Sequence, residues 1–175
     1  MNAKEDLFFH EDDYLQVEII PIDNLFDQSK NLSNLKYDFE EHGFTNISSR
    51  GAKKNPTSSK KIYSSHLTEI LERSAITGFN KVYTGYGSNS ILKNGIKAYG
   101  YKDYAILFDS LNGIVQNIWL VFSPKLEMPL SSYSNLSNTL FEIGSKYNMI
   151  LIDWNEEIIV DLGSHKKTLD YLNSL

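Results

Sequence analysis

Residues 104–122, YAILFDSLNGIVQNIWLVF, set the architecture of this chain. Two apolar runs, Tyr104–Phe108 and Val115–Phe122, flank Asn112-Gly113. Asn-Gly takes positive backbone dihedrals at little cost, and the two-residue turn it forms matches the twist of paired strands. The stretch therefore predicts a β-hairpin, with Pro124 and Pro129 closing its second strand. Toward the C-terminus, Leu136, Leu140, Ile143 and Tyr147 form one helical stripe. Met149–Ile152 then reads as a strand that turns through Asp153–Glu156 and returns as Glu157–Leu162. A last helix starting at Ser164 carries Leu169, Leu172 and Leu175.

In the other direction, Lys81–Tyr86 reads as a strand broken by the GSNS that follows. Leu67, Ile70, Leu71 and Ala75 define a short helix with Ser64 or Ser65 as N-cap. The basic stretch RGAKKNPTSSKK, residues 50–61, has no apolar side chain larger than alanine and reads as a solvated polar loop. Before it, Leu25, Leu32, Leu35 and Phe39 make a helical stripe ended by Gly43, with Phe44–Arg50 as a short strand beyond. A strand–Pro–helix–strand pattern thus occurs twice, as QVEIIP…FTNISS and IWLVFSP…MILIDW, without matching residues. Interspersed helices and hairpins point to a single α+β domain over residues 1–175, with helices packed on a mixed or antiparallel sheet.

Composition narrows the function. With 41% apolar residues, 13% aromatics and no cysteine, the chain can build a core but has no disulfide framework and no thiolate metal site. Its apolar runs are too short to span a bilayer, and MNAKED lacks the layout of a signal peptide, so a cytoplasmic protein is expected. The net charge of −5 is uneven: residues 1–42 hold 11 acids against 3 bases. Such asymmetry speaks to partners, repelling nucleic acid and attracting a basic protein surface.

The N-terminal stretch Phe8–Pro21, FFHEDDYLQVEIIP, concentrates that charge. Glu11, Asp12 and Asp13 run into an alternating segment, Tyr14–Ile20. Period-2 alternation places Leu15, Val17 and Ile19 in the core and Tyr14, Gln16 and Glu18 on a polar face. A second acidic-aromatic patch, Asp153, Trp154, Glu156 and Glu157, falls at a predicted hairpin tip, where burial of Trp154 in the core is the plainer expectation.

Catalytic motifs are weak. Thr84-Gly-Tyr-Gly-Ser lacks the third glycine and the helix start that phosphate binding requires. The histidines His10, His42, His66 and His165 are scattered, and no HExxH or GxSxG occurs. Asp109 and Asp153 end apolar strands, where turn entry accounts for them. A metal-dependent hydrolase using His10, Glu11, Asp12 and Glu18 is the alternative that the N-terminal cluster keeps open. A ligand pocket lined by Tyr83, Tyr86, Tyr99, Tyr101 and Tyr104 ranks below it, because the spacings fit no single face.

Three segments together, FFHEDDYLQVEIIP, a helix ending in HGF, and MILIDWNEEIIVDL with a short helix after it, resemble bacterial immunity proteins of polymorphic-toxin and contact-dependent growth-inhibition systems. The resemblance implies a cytoplasmic antidote that binds a cognate toxin domain, typically a basic nuclease, and neutralises it without catalysis, cofactor, nucleic acid or membrane. The expected contacts are Glu11, Asp12, Asp13, Tyr14, Gln16 and Glu18, with Asp153, Trp154, Glu156 and Glu157 as a second set.

Overall fold

The computed structural model describes residues 5–42, 53–74, 76–85, 91–101, 103–122 and 130–175, with the side chains of 34–42 and 130–132 set aside. The hairpin predicted at Asn112-Gly113 forms from β7 (Tyr104–Leu111) and β8 (Ile114–Phe122). Both turn residues have positive φ, 52° and 78°, as a two-residue hairpin loop demands. A bulge interrupts the pairing: Asp109 faces Asn117 and Ser110 faces Val115, which leaves Gln116 as the extra residue on β8.

Around this hairpin lies a seven-stranded sheet in which every neighbouring pair is antiparallel. Its other members are β2 (Val17–Pro21), β3 (Thr77–Gly78), β6 (Ile96–Tyr101), β9 (Met149–Asp153) and β10 (Ile158–Asp161), in the order β10-β9-β2-β8-β7-β6-β3. Because β2 is antiparallel to both β8 and β9, the latter two run parallel with β2 inserted between them. Helix α3 (Leu130–Tyr147) connects them, so the second strand–Pro–helix–strand unit is a crossover. The strand expected at Phe44–Arg50, along with Gly43, lies outside the described residues. A smaller mixed sheet joins β1 (Leu7–Phe9) in parallel to β4 (Val82–Thr84), which pairs antiparallel with β5 (Ile91–Leu92).

Alternation along the strands builds two cores. On one face Val17, Ile19, Ile106, Phe108, Ile118, Leu120 and Leu151 pack beneath α2 (Ser64–Arg73), α3 and α4 (His165–Leu172), through Leu67, Leu71, Leu136, Leu140, Ile143 and Leu172. On the opposite face Leu107, Trp119 and Val121 meet Phe9 and Val82 of the small sheet. Farther along that face Ile20, Ile150, Ile152 and Trp154 meet Leu32 of α1 (Leu25–His42). The protein is therefore an α+β domain whose main sheet is covered on both sides.

Several sequence expectations change. The N-terminal strand begins at Val17 rather than Tyr14, and all five of its residues are buried. Leu15 has φ of 58°, outside any strand, and is only partly buried. Of the α1 stripe, Leu32 is buried as expected but Leu25 is exposed, and Asn24, just before the helix, and Gln28 are buried instead. Leu35 and Phe39 have no described side chains, and Ala75 and Tyr86 lie outside the described residues. The N-cap of α2 is Tyr63, held extended by a bridge to Ile114, so Ser64 begins the helix and donates its N–H to Gly113 O at 2.9 Å. Ser164 does cap α4, accepting from Lys167 N. Within the loop expected at 50–61, Thr57–Lys60 form a 3-10 helix with Thr57 buried. Its lysines dock on the N-terminal acids: Lys60 on Asp23 at 2.6 Å, Lys54 on Asp27 at 2.9 Å and Lys53 on Glu18.

One contact in this packing has no slack. A Cβ at Gly144 of α3 would lie 2.2 Å from Leu162 Cβ and 2.4 Å from Leu162 O, just beyond β10. Gly144→Ala is expected to destabilise the fold by about 1–3 kcal/mol, the range for overpacking. Thermal denaturation should then show a Tm lower by roughly 2–10 °C for a chain of this size. An unchanged Tm would mean that α3 shifts freely against β10.

A candidate interface at the mouth of a cleft between the sheets

The chain passes from the small sheet to the large one through His10–Gln16, and this crossing holds the acidic cluster. Glu11–Asp13 form a 3-10 turn instead of leading into a strand. Backbone bonds close it: Asp13 N to His10 O at 3.0 Å, Tyr14 N to Glu11 O at 3.2 Å and Gln16 N to Asp13 O at 3.3 Å. Acids suit the first turn of a helix, where backbone N–H groups point outward. Glu11, Asp12 and Tyr14 are exposed, and Asp13, Leu15 and Gln16 are half-buried. Tyr14 rests its ring edge-on against Trp119, with centroids 5.0 Å apart. Glu5 and Asp6, just before β1, are exposed acids that sequence reasoning left out of the cluster.

Three of the expected contact residues are buried and occupied within the protein. Glu18, 2% exposed, accepts from Trp154 Nε1 at 3.0 Å and is ion-paired with Lys53. Asp153 uses one carboxylate oxygen to accept from Asn155 N at 3.0 Å and Glu156 N at 3.1 Å, and the other to accept from Tyr171 O–H at 2.7 Å. Burial and the Asp153 charge push the Tyr171 phenol well above its ordinary range. Trp154 is itself buried, and its backbone N–H donates to Gln16 O at 2.9 Å, which ties the β9–β10 turn to the entry of β2. Glu18, Asp153 and Trp154 are thus framework, not surface. Of the second patch, Glu156 is exposed and Glu157 half-buried. The polar face expected on β2 does not exist, because a second protein layer covers it.

Behind the acidic turn the sheets leave a cleft of about 560 Å³. The volume suits a side chain or small ligand. Glu11 and Tyr14 stand on one wall, Thr84 and Lys93 of the small-sheet region on another, and Asp109 and Gln116 of the bulged hairpin on the floor. The Asp109 carboxylate is oriented by Asn117, whose backbone N–H donates at 2.9 Å and whose amide reaches its oxygens at 3.0 and 3.1 Å. Burial, and secondarily the charge of Asp109, raise the Tyr14 phenol above its ordinary pKa. Thr84 is 1% exposed, and its Oγ1 has no hydrogen-bond partner among the described residues. Asp109, read from sequence as a turn entry, is instead a mid-strand carboxylate. The available signal was its two-residue offset from Leu107, which puts both on one face.

The alternative residue sets do not assemble. His10 pairs with Asp12 at 3.3 Å, but Glu18 is buried, accepts from Trp154 Nε1 and is ion-paired with Lys53. Among the described residues no group of three or more His, Cys, Asp or Glu could hold a metal ion. Of the tyrosines, Tyr99 and Tyr104 join the helix-side core, while Tyr101 and Tyr104 border a separate recess of about 290 Å³. No helix among the described residues is long and apolar enough to cross a membrane.

Two measurements check this geometry. Lys53→Met should cost about 2–3 kcal/mol, below the range for severing a fully buried pair because Lys53 retains partial exposure. Glu18→Gln combined with Lys53→Met should recover most of that loss in a double-mutant cycle, and additive losses would show that the pair is not coupled. In alkaline ultraviolet titration Asp109→Asn should lower the Tyr14 pKa, since removing a nearby negative charge favours the phenolate. No shift would separate the two groups. No protein-family model, curated protein or solved structure matches this chain.

Proposed function

We propose that this chain is an immunity protein that binds a cognate toxin domain in the cytoplasm and neutralises it by non-catalytic contact. The observation that carries the reading is the exposed turn Glu11–Asp12 with Tyr14, held at the mouth of a cleft. Acids steer a basic partner into an encounter, and a partly buried aromatic slows its release. A basic nuclease domain is the partner chemistry that fits. Pairing of Lys53, Lys54 and Lys60 with Glu18, Asp23 and Asp27 offsets much of the remaining N-terminal charge. At this crossing the exposed acids are Glu5, Asp6, Glu11 and Asp12, the last beside His10 at 3.3 Å. The likeness of the N- and C-terminal segments to immunity proteins supports the same reading.

The test is to express any toxin domain that the adjacent upstream gene encodes and to measure its capture by surface-immobilised kinetics at two salt concentrations. Glu11→Lys with Asp12→Lys should slow association about tenfold or more at low salt and much less at high salt. Tyr14→Ala should mainly speed dissociation, by about fivefold to thirtyfold for an anchor worth 1–2 kcal/mol. Unaltered kinetics in both variants would remove this surface from the interface. Failure of the domain to bind the wild-type chain, and of the chain to protect cells expressing it, would overturn the immunity reading.

A further inference from the structure

We propose that the free edge of β10 pairs with the same edge of a second copy of this chain, so that two large sheets join antiparallel about a twofold axis. The inference goes beyond the immunity reading and does not depend on it. Among the described residues β10 is the last strand of the large sheet, bonded to β9 alone. The ladder fixes the direction of its backbone groups. Trp154 N–H bonds to Gln16 O, so Trp154, Ile152 and Ile150 turn their backbone groups toward β2. Asp153 and Leu151 therefore turn theirs toward β10, where they face Ile158 and Val160. Ile159 and Asp161 are left pointing outward, and the Asp161 carbonyl accepts from Ser164 N at 3.1 Å at the turn into α4. Proteins blunt such edges with brevity, lysine, proline or a bulge. The other edge strands are blunted by length: β3 and β5 have two residues each and β1 three. β10 has four, Ile158–Asp161, of which three in a row are apolar and none is lysine or proline.

The flanking charges choose the occupant. Beside the edge lies a recess of about 310 Å³, bordered by Ile158 and Val160 of β10 and by Lys167, Asp170 and Tyr171 of α4. Lys167, Asp170 and Tyr171 fall on one helical stripe, which therefore carries a cation and an anion one turn apart. A strongly basic or strongly acidic strand would meet a like charge there. A twofold copy meets the opposite one. Antiparallel pairing of the edges sets the two α4 helices on the same side of the joined sheet, running in opposite directions. Lys167 of each chain then stands against Asp170 of the other. Within its own chain Lys167 reaches Asp161 at 3.4 Å, but the two side chains are 63% and 40% exposed. Such a pair is worth little, so the ammonium is free to turn toward the copy. Pairing would also cover Ile158, which is exposed on the α4 side of the edge.

The test is sedimentation velocity of the full chain from micromolar to near-millimolar concentration, because a short edge makes a small interface and weak association. Wild type should pass from monomer to dimer across that range. Amide hydrogen exchange reads the same event by residue: the Ile159 N–H should exchange about tenfold or more slowly at the high end than at the low end. Ile158→Lys should weaken dimerisation about tenfold or more and leave the Tm unaltered, since a cation at an exposed edge position opposes pairing. Ile159→Pro deletes an outward N–H without touching the β9 ladder, and should also hold the chain monomeric. Lys167→Asp and Asp170→Lys should each weaken the dimer, and the two combined should restore it, a recovery that a purely structural role for either residue would not give. A chain that stays monomeric throughout overturns the proposal. So does a dimer that forms equally well in Ile158→Lys and Ile159→Pro, or one that the combined charge swap fails to restore. None of these results bears on the immunity reading, whose own test is toxin capture.

Discussion

Glu18 sits in an interior strand of the large sheet, opposite Trp119 of β8 across one ladder and Ile152 of β9 across the other. A charge in that position is tolerable only when neutralised and hydrogen-bonded. The two groups that satisfy it come from distant parts of the chain: Trp154 from the β9–β10 turn and Lys53 from the segment before the 3-10 helix at Thr57–Lys60. Each partner brings its own stretch of chain down onto the sheet. Trp154 closes the core shared with Ile20 and Ile152, and Lys53 leads the basic segment along the acids that open α1. Compared with a well-packed apolar side chain, such a pair adds little net stability. Its value lies in register. A one-residue slip of β2 would turn Glu18 into the helix-side core, where neither partner can follow.

This constraint also explains which features were legible in the sequence. The hairpin at Asn112-Gly113, the stripe of α3, the β9–β10 return and the Ser164 cap rest on local chemistry, in which a turn type or a helical period needs only nearby residues. The entry of β2 did not. Alternation of polar and apolar residues reports that two faces differ, not what covers the polar one. Water and a neutralised pocket under a second protein layer leave the same pattern. The corrective signal lies in the neighbours: Met149–Ile152 and Ile118–Phe122 are continuous apolar runs, the mark of strands buried on both faces, and β2 lies between them. The cleft was less legible still. Thr84 and Asp109 are 25 residues apart, on different sheets, and line one cleft because Phe9 and Val82 pack over Leu107 and Trp119.

The acids of the N-terminal third therefore divide by task according to depth. Glu18 is structural and fully internal, Asp23 and Asp27 fasten the basic segment, and Glu11 and Asp12 project from the crossing between the sheets. The Lys60 ammonium holds the Asp23 carboxyl below its ordinary pKa, so that fastening persists well into mildly acidic conditions. A total charge count blurs these roles, since internally paired acids contribute little field beyond the Debye length.

The division has a consequence for specificity. The turn that carries Glu11 is closed by backbone hydrogen bonds from Asp13, Tyr14 and Gln16, so the identity of the Glu11 side chain does not hold it together. The cleft floor is different: Asp109 is tied into the β7–β8 pairing through Asn117 and adjoins the bulge. Charge at the rim can thus change to suit one partner or another at little cost to the fold, while the floor stays fixed by the sheet. In the proposed complex, the rim would act mainly on encounter rate. Substitution at the rim therefore leaves the β7–β8 pairing beneath it intact.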